Sequence, residues 1–434
     1  MRLFGSSGIR GVVNEKITPE LCLKIGTALG EQHDEVILGR DPRPTGEMVA
    51  SALTAGLTSS GAHVERAGMI STPTLAQAAE NFDCGIMVTA SHNPEEYNGI
   101  KFWNPDGSSF NTRQMEELEE KIFSESHLPG WKDVGSVDTY GSAVEEHISR
   151  IIDLLGSGYE QKVILDCANG GGCSITPYLL KQMGCEVTTL NAQPDGTFPG
   201  HASEPVKENL TELARLTRET DADLGIAHDG DADRTVAFDR KGDYLGGDEL
   251  LKLFAKEYSR SVVVPVNSSM AVDEIADEVI RSRVGDVFVS ERLKEENAVF
   301  GGEPSGTWIF PEMSWGPDGV YAAALLVKMN SEMDLAEEVE KMPSYPRRKG
   351  SVPVKKKGEV MDQLISLYKD TYSDKNLDLV DGVRLKEEGG WALIRASGTE
   401  PKIRITTEAK DKKKVESIYE KAKKDLEDRV EEIG

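Results

Sequence analysis

Short runs of β-branched residues recur along the chain, each closed by a polar or glycine-rich turn and followed by helical periodicity. Val36-Ile37-Leu38-Gly39 precedes the turn Arg40 to Gly46, and a helical pattern starts near Glu47. Val163-Ile164-Leu165-Asp166 precedes Cys167 to Gly172, then a helical stretch to about Met183. Val262-Val263-Val264-Pro265 precedes Val266 to Ser269, with a helix expected from Met270 to about Arg281. Strands alternating with helices predict βαβ units on mostly parallel sheets. Three such units, widely spaced, predict a repeated α/β domain.

Breaks in the pattern fall near Gly156-Ser157-Gly158, near Gly242 to Gly247, and near Pro343 to Lys357. The last reads as a linker, with prolines beside the basic runs Arg347-Arg348-Lys349 and Lys355-Lys356-Lys357. Beyond it a helix around Met361–Tyr372, two short strands near Leu393 and Ile403, and a charged helix from Lys410 predict a small α+β domain. The expected domains are 1–155, 156–243, 244–345 and 346–434. That number suits the chain length at roughly 100–200 residues per domain.

With 38% hydrophobic and 29% charged residues the chain has ordinary globular composition. No stretch approaches the roughly 18 apolar residues of a membrane span. The net charge of −25 argues against a nucleic-acid partner, which needs a basic face, but not against a small phosphorylated ligand held by a local Arg/Lys cluster. The cysteines, Cys22, Cys84, Cys167, Cys173 and Cys185, form no C-x-x-C pair and read as buried, reduced thiols. The start, MRLFGSSGIRG, has no apolar signal-peptide core, so a cytoplasmic location is expected.

Four loops carry candidate chemistry. Thr89-Ala90-Ser91-His92-Asn93-Pro94 follows an apolar run, and its small residues place Ser91 on an exposed turn. A serine is a weak nucleophile unless activated; His92 is adjacent, and Lys101 downstream suits proton transfer or phosphate binding. Asp229-Gly230-Asp231-Ala232-Asp233 sets three carboxylates at alternate positions, which repel one another without a cation. Mg²⁺ takes such oxygen ligands and shares its shell with phosphate. A calcium EF-hand loop fails here, because the twelfth position from Asp229 is Arg240 rather than Glu.

Gly301 to Thr307 is a glycine-rich turn in which Glu303 and Ser305 offer an acceptor and a donor to sugar hydroxyls. Arg395-Ala396-Ser397-Gly398-Thr399, followed by Arg404, offers backbone N–H groups, two hydroxyls and two guanidiniums to an anion. It lacks the spacing of a P-loop.

In this order, with Gly5-Ser6-Ser7-Gly8-Ile9-Arg10-Gly11 at the start, these loops resemble the α-D-phosphohexomutase family over essentially the whole chain. The resemblance implies three related α/β domains plus a smaller C-terminal α+β domain around a central cleft. It implies a phosphoserine at Ser91, and Mg²⁺, one per subunit, held by Ser91, Asp229, Asp231 and Asp233. It places Arg10, His92, Lys101 and Arg234 around the transferring phosphoryl group, with Lys101 or His92 as proton shuttle. Glu303 and Ser305 would bind the sugar; Arg395, Ser397, Gly398, Thr399 and Arg404 would clamp the other phosphate.

The implied reaction interconverts hexose 6-phosphate and hexose 1-phosphate through a bisphosphorylated sugar, with a sugar 1,6-bisphosphate as activator. The expected partner is a small hexose phosphate, with neither nucleic acid nor membrane, and a homo-oligomer is compatible. Many relatives carry His where this chain has Thr307, and Pro304 also departs from the bacterial branches. Gly-Glu-Pro-Ser-Gly-Thr-Trp resembles the archaeal phosphoglucosamine mutase branch, which implies glucosamine phosphate as substrate. The alternatives are a phosphoglucomutase/phosphomannomutase and a Mg²⁺-dependent sugar phosphatase.

Overall fold

The apolar run that precedes Ser91 is a strand with all five residues buried, Cys84–Val88. A strand covered on both faces needs no alternation, which is why it reads as continuously apolar. The computed structural model describes residues 3–5, 7–398 and 400–433. These residues divide into two compact units, one of residues 1–250 with 285–340 and one of 251–284 with 341–434.

In the first unit, β1 (Ile9–Val12), β2 (Glu35–Arg40), β3 (His63–Met69), β4 (Cys84–Val88), β5 (Tyr97–Trp103) and β6 (Val137–Thr139) form one sheet in the order β1-β5-β4-β2-β3-β6. β2 runs parallel to β3 and β4, whereas β5 is antiparallel to β4 and β1. The sheet is thus mixed, and the turn between β4 and β5 carries Ser91 while β5 carries Lys101.

A second mixed sheet contains β7 (Lys162–Asp166), β8 (Glu186–Leu190), β9 (Leu224–His228), β10 (Thr235–Asp239) and β11 (Tyr244–Leu245), in the order β11-β10-β9-β7-β8. β9 and β10 are antiparallel, with His228 opposite Thr235, so the acidic loop is the turn of a hairpin. A further hairpin pairs Phe300–Glu303 with Thr307–Ile309. It is tied to the acidic hairpin by Thr235 N–H to Gly306 O at 2.9 Å and Trp308 Nε1 to Thr235 O at 2.9 Å.

The second unit contains the parallel pair Ser261–Pro265 and Glu278–Ser282, and an antiparallel sheet of five strands. The expected helix from Met270 to Arg281 is a 3₁₀ segment at Met270–Glu274 followed by a strand. Val279 and Ile280 favour that strand, and the parallel pairing decides it. The expected linker contains a strand, Arg347–Pro353, paired antiparallel with Lys402–Ala409. Its Pro353 sits at the strand end of an edge position, where a missing N–H is tolerated. The C-terminal sheet therefore has five strands rather than the two expected, packed against helices Lys357–Thr371 and Lys412–Ile433.

All five cysteines are free and buried. Among the described residues no helix is long and apolar enough to cross a membrane.

Candidate active site

Ser91 follows β4 in a left-handed backbone conformation, φ +53°. It is 1% exposed, so the exposed turn expected from its small neighbours is instead covered. The cover comes from the acidic hairpin: Ser91 Oγ donates to Asp229 Oδ2 at 2.7 Å. His92 Nδ1 lies 3.3 Å from the same hydroxyl. Ser91 N–H donates to Thr89 Oγ1, and the Ser91 carbonyl accepts from Arg43.

The carboxylates of Asp229, Asp231 and Asp233 are all buried and offer ligand atoms within 4.8 Å of one another. Lys101 Nζ donates to Asp231 Oδ2 at 2.9 Å and Asp233 Oδ2 at 2.7 Å. Thr72 Oγ1 donates to Asp231 Oδ2 at 2.6 Å. Burial opposes the Lys101 charge, yet Asp231 and Asp233 hold its pKa above the ordinary lysine value. Burial raises Asp231 too, but Lys101 pulls it well below the usual carboxylate range. Burial, with Asp233 and Asp231 alongside, pushes Asp229 well up.

Asp231 Oδ1 is buried without a hydrogen-bond partner among the described residues. Three converging carboxylates, a serine hydroxyl and an unsatisfied buried oxygen form an all-oxygen donor set suited to a hard divalent cation such as Mg²⁺.

A cavity of about 300 Å³ opens over this cluster. Ser91, His92, Lys101, Asp233, Arg10 and Arg234 line it, together with Gly5, Ser7, Gly8, Lys16, Gly285, Asp286, Glu303 and Thr307. Arg10 Nη1 donates to Asn93 Oδ1 at 3.2 Å, and Arg234 N–H to Asp229 Oδ1 at 3.2 Å. Burial, reinforced by Arg234 and Arg10, lowers the His92 pKa to about 3, so its imidazole is neutral at neutral pH.

Glu303 Oε1 accepts from Gly285 N–H at 2.8 Å. Ser305 Oγ donates to Glu303 Oε2 at 3.4 Å, and lies 3.2 Å from Thr307 Oγ1. Burial and the neighbouring Asp286 raise the Glu303 pKa to about 7. Asp286 Oδ1 accepts from Ser7 Oγ at 2.8 Å. Of the two sugar-loop candidates, Glu303 lines the cavity and Ser305 stands beside it, exposed.

The fourth loop belongs to the second compact unit. Arg395 and Arg404 are directly opposite on adjacent strands, and each is paired with a carboxylate. Arg395 Nη1 donates to Asp381 Oδ2 at 3.2 Å and Arg404 Nη2 to Glu400 Oε2 at 2.8 Å. Lys357 Nζ donates to the carbonyls of Ser397 and Glu400 and so shapes the turn. Ser397 Oγ accepts from Glu400 N–H, and a side chain on Gly398 would meet open space. Thr399 lies outside the described residues.

All four loops lie in stretches that match one family of known proteins. Residues 1–128, 139–242 and 246–345 match the family descriptions phosphoglucomutase/phosphomannomutase alpha/beta/alpha domains I, II and III, and residues 351–424 match its C-terminal domain. The chain belongs to the phosphoglucomutase/phosphomannomutase family. It is 50% identical to a probable phosphoglucosamine mutase of Methanocella arvoryzae, covering 97% of each chain. It is 39% identical to the phosphoglucosamine mutase of Methanocaldococcus jannaschii, again over 97% of each. A solved phosphoglucomutase/phosphomannomutase family protein from Burkholderia thailandensis superposes with TM-score 0.89 at 27% identity, covering 99% of this chain and 97% of that one.

The chain is thus a phosphohexomutase, an isomerase. The archaeal branch expected from residues 303–307 agrees with these relatives.

For this phosphohexomutase the structure also brings in residues that the sequence reading passed over. Arg43 and Asp41 hold the Ser91 turn, Thr72 holds Asp231, and Lys16 and Asp286 line the cavity. Two charged residues in the proline-rich turn Asp41-Pro42-Arg43-Pro44 were the only signal for the first pair. Thr72 carried none, because its partner is 159 positions away.

Proposed function

We propose that the protein interconverts glucosamine 6-phosphate and glucosamine 1-phosphate by phosphoryl transfer through Ser91. The observation that carries the reading is the 2.7 Å bond from Ser91 Oγ to Asp229, within a cluster that also holds Asp231, Asp233 and Lys101. A nucleophile joined to a buried oxygen-ligand set and a cation is the constellation phosphoryl transfer needs.

Mg²⁺ bound by Asp229, Asp231, Asp233 and Ser91 would stabilise charge on the phosphoryl oxygens. The chain's own residues supply the rest. Phospho-Ser91 gives its phosphoryl group to the free sugar hydroxyl, so the bond to Ser91 Oγ breaks and one to the sugar oxygen forms. The hydroxyl proton ends on Ser91 Oγ; His92, 3.3 Å from that atom, and Lys101 in the same cavity are the two groups placed to pass it. Lys101, bonded to Asp231 and Asp233, sets a cation beside the transferring group. Arg10 and Arg234 neutralise the phosphoryl group from the cavity wall.

The bisphosphorylated sugar then reverses, and its other phosphate returns to Ser91. Arg395, Ser397, Gly398, Thr399 and Arg404 hold the phosphate that is not transferring. The proposal includes a cytoplasmic location, one Mg²⁺ per subunit and a sugar 1,6-bisphosphate activator.

Two things support glucosamine as the sugar. Archaeal relatives named phosphoglucosamine mutase match over nearly the full length. The cavity also holds Glu303 and Asp286, which are bonded by the neutral donors Gly285 N–H and Ser7 Oγ; burial and then Asp286 raise the Glu303 pKa, and Arg234 only partly offsets them. An ammonium group at the sugar's C2 would relieve their mutual repulsion, which a hydroxyl cannot do. The test compares turnover of glucosamine, glucose and mannose 1-phosphates, with a trace of each bisphosphate and with inorganic phosphate measured. Preference for glucosamine phosphate with no phosphate release supports the proposal. Equal turnover of the three sugars refutes the substrate; phosphate release matching isomerisation refutes the mutase reaction.

A further inference from the structure

We infer that Arg43 is a positioning residue for phosphoryl transfer: its guanidinium locks the backbone of the Ser91 turn against the acidic hairpin and so sets the direction of Ser91 Oγ. Arg43 stands in the turn after β2 and is 1% exposed. A guanidinium has five N–H donors, and here each has an acceptor. Nε donates to Asp41 Oδ2 at 3.1 Å. Nη1 donates to the carbonyls of Pro94 at 2.6 Å and Tyr97 at 2.9 Å. Nη2 donates to those of Ser91 at 2.7 Å and Asn93 at 2.6 Å. Four carbonyl oxygens converging on one point repel one another, and the planar cation is what lets the turn close.

Both backbone groups of Ser91 lead back to the same ion pair. Its carbonyl accepts from Arg43, and its N–H donates to Thr89 Oγ1 at 2.9 Å. Thr89 Oγ1 donates in turn to Asp41 Oδ2 at 2.7 Å. This double tether spans a residue whose left-handed backbone carries a steric cost for any side chain. None of these bonds uses Ser91 Oγ, which is left to face Asp229.

The other face of the guanidinium meets the Phe198 ring, 5.0 Å from Cζ to the centroid. The same ring abuts the acidic turn: a Cβ added to Gly230 would lie 3.3 Å from Phe198 Cζ and 2.5 Å from the Ser91 carbonyl oxygen. The turn that carries Asp229 and Asp231 therefore rests on the layer Arg43 builds. A lysine could supply the charge but not the five-donor fork.

The inference rests on transfer through Ser91, which Ser91→Ala tests separately, so the two can fail independently. The experiment measures kcat and KM for hexose phosphate isomerisation with R43K and R43A, alongside thermal unfolding of each. Misplacing the serine predicts a loss of roughly a hundredfold in kcat for R43K, with KM within about threefold of wild type and a folded protein at the assay temperature. Methylguanidinium at millimolar concentration should restore R43A by at least about tenfold, and methylammonium should not. Three results overturn the inference. One is R43K with near wild-type kcat, another a change confined to KM. The third is loss of the folded state in both variants, which would make Arg43 a folding residue only.

Discussion

Lys101 Nζ lies 2.9 Å from Asp231 Oδ2, which joins strand β5 of the first sheet to the acidic turn of the second. Both groups are almost fully buried, with side chains 6% and 0% exposed. The pair is thus more than a surface ion pair: it is the built-in counter-charge of a carboxylate cluster. Replacing Lys101 by Met leaves that cluster short of a cation. We expect K101M to lose about 3 kcal/mol of unfolding free energy in metal-free buffer, measured by urea titration. Mg²⁺ should recover more stability in K101M than in the wild type, because it relieves a larger repulsion. An equal Mg²⁺ increment in both proteins would remove Lys101 from the charge balance of the site.

Ser91→Ala removes the hydroxyl that bonds Asp229 but leaves the Arg43 and Thr89 backbone tethers in place. Mutase activity should fall by at least about a thousandfold while the circular dichroism spectrum and melting temperature change little. Substantial residual turnover would reassign the nucleophile. The same assay with a chelator should show activity lost and then restored by Mg²⁺; indifference to chelation would separate Asp229, Asp231 and Asp233 from metal binding.

Asp286 sits in the cavity beside Glu303, and its carboxylate accepts from Ser7 Oγ. D286N keeps the shape and removes the charge. Its kcat/KM for glucosamine 6-phosphate should drop by about tenfold relative to that for glucose 6-phosphate. Parallel losses on both sugars would make Asp286 a hydroxyl ligand with no role in selecting the amine.

The Glu303 pKa rises from an ordinary 4.5 to about 7 on folding, through burial and then Asp286. Between those values the folded chain holds a proton that the unfolded chain has released. Stability from this residue is therefore full at low pH and declines as pH rises through about 7. E303Q, which cannot ionise, should show a shallower decline in melting temperature between about pH 4.5 and about pH 7, the window that shift defines. A wild-type profile unchanged by the substitution would place the ionisation of Glu303 outside this range.

Local chemistry in this chain was legible because it is local. Alternate aspartates at 229, 231 and 233 repel wherever the chain goes, and small residues after an apolar run make a turn at Ser91. The burial of Ser91 was not legible, because what covers it is Asp229, 138 positions away. The same limit misplaced the helix at Met270–Arg281, where the parallel pairing of Glu278–Ser282 with Ser261–Pro265 decides for a strand. It also hid the strand Arg347–Pro353, whose basic, proline-flanked sequence looks like a linker until Lys402–Ala409 is beside it.

Sequence alone determined the succession of α/β units and the order of the four loops, since side-chain chemistry and short-range periodicity do not depend on distant neighbours. Tertiary structure alone decided which charges meet. Lys101 between two aspartates, Thr72 on Asp231, Asp286 beside Glu303, and Arg43 under Ser91 all join residues from separate turns and strands. Their energies arise from desolvation and from hydrogen-bond direction, and both exist only once the chain has closed around them.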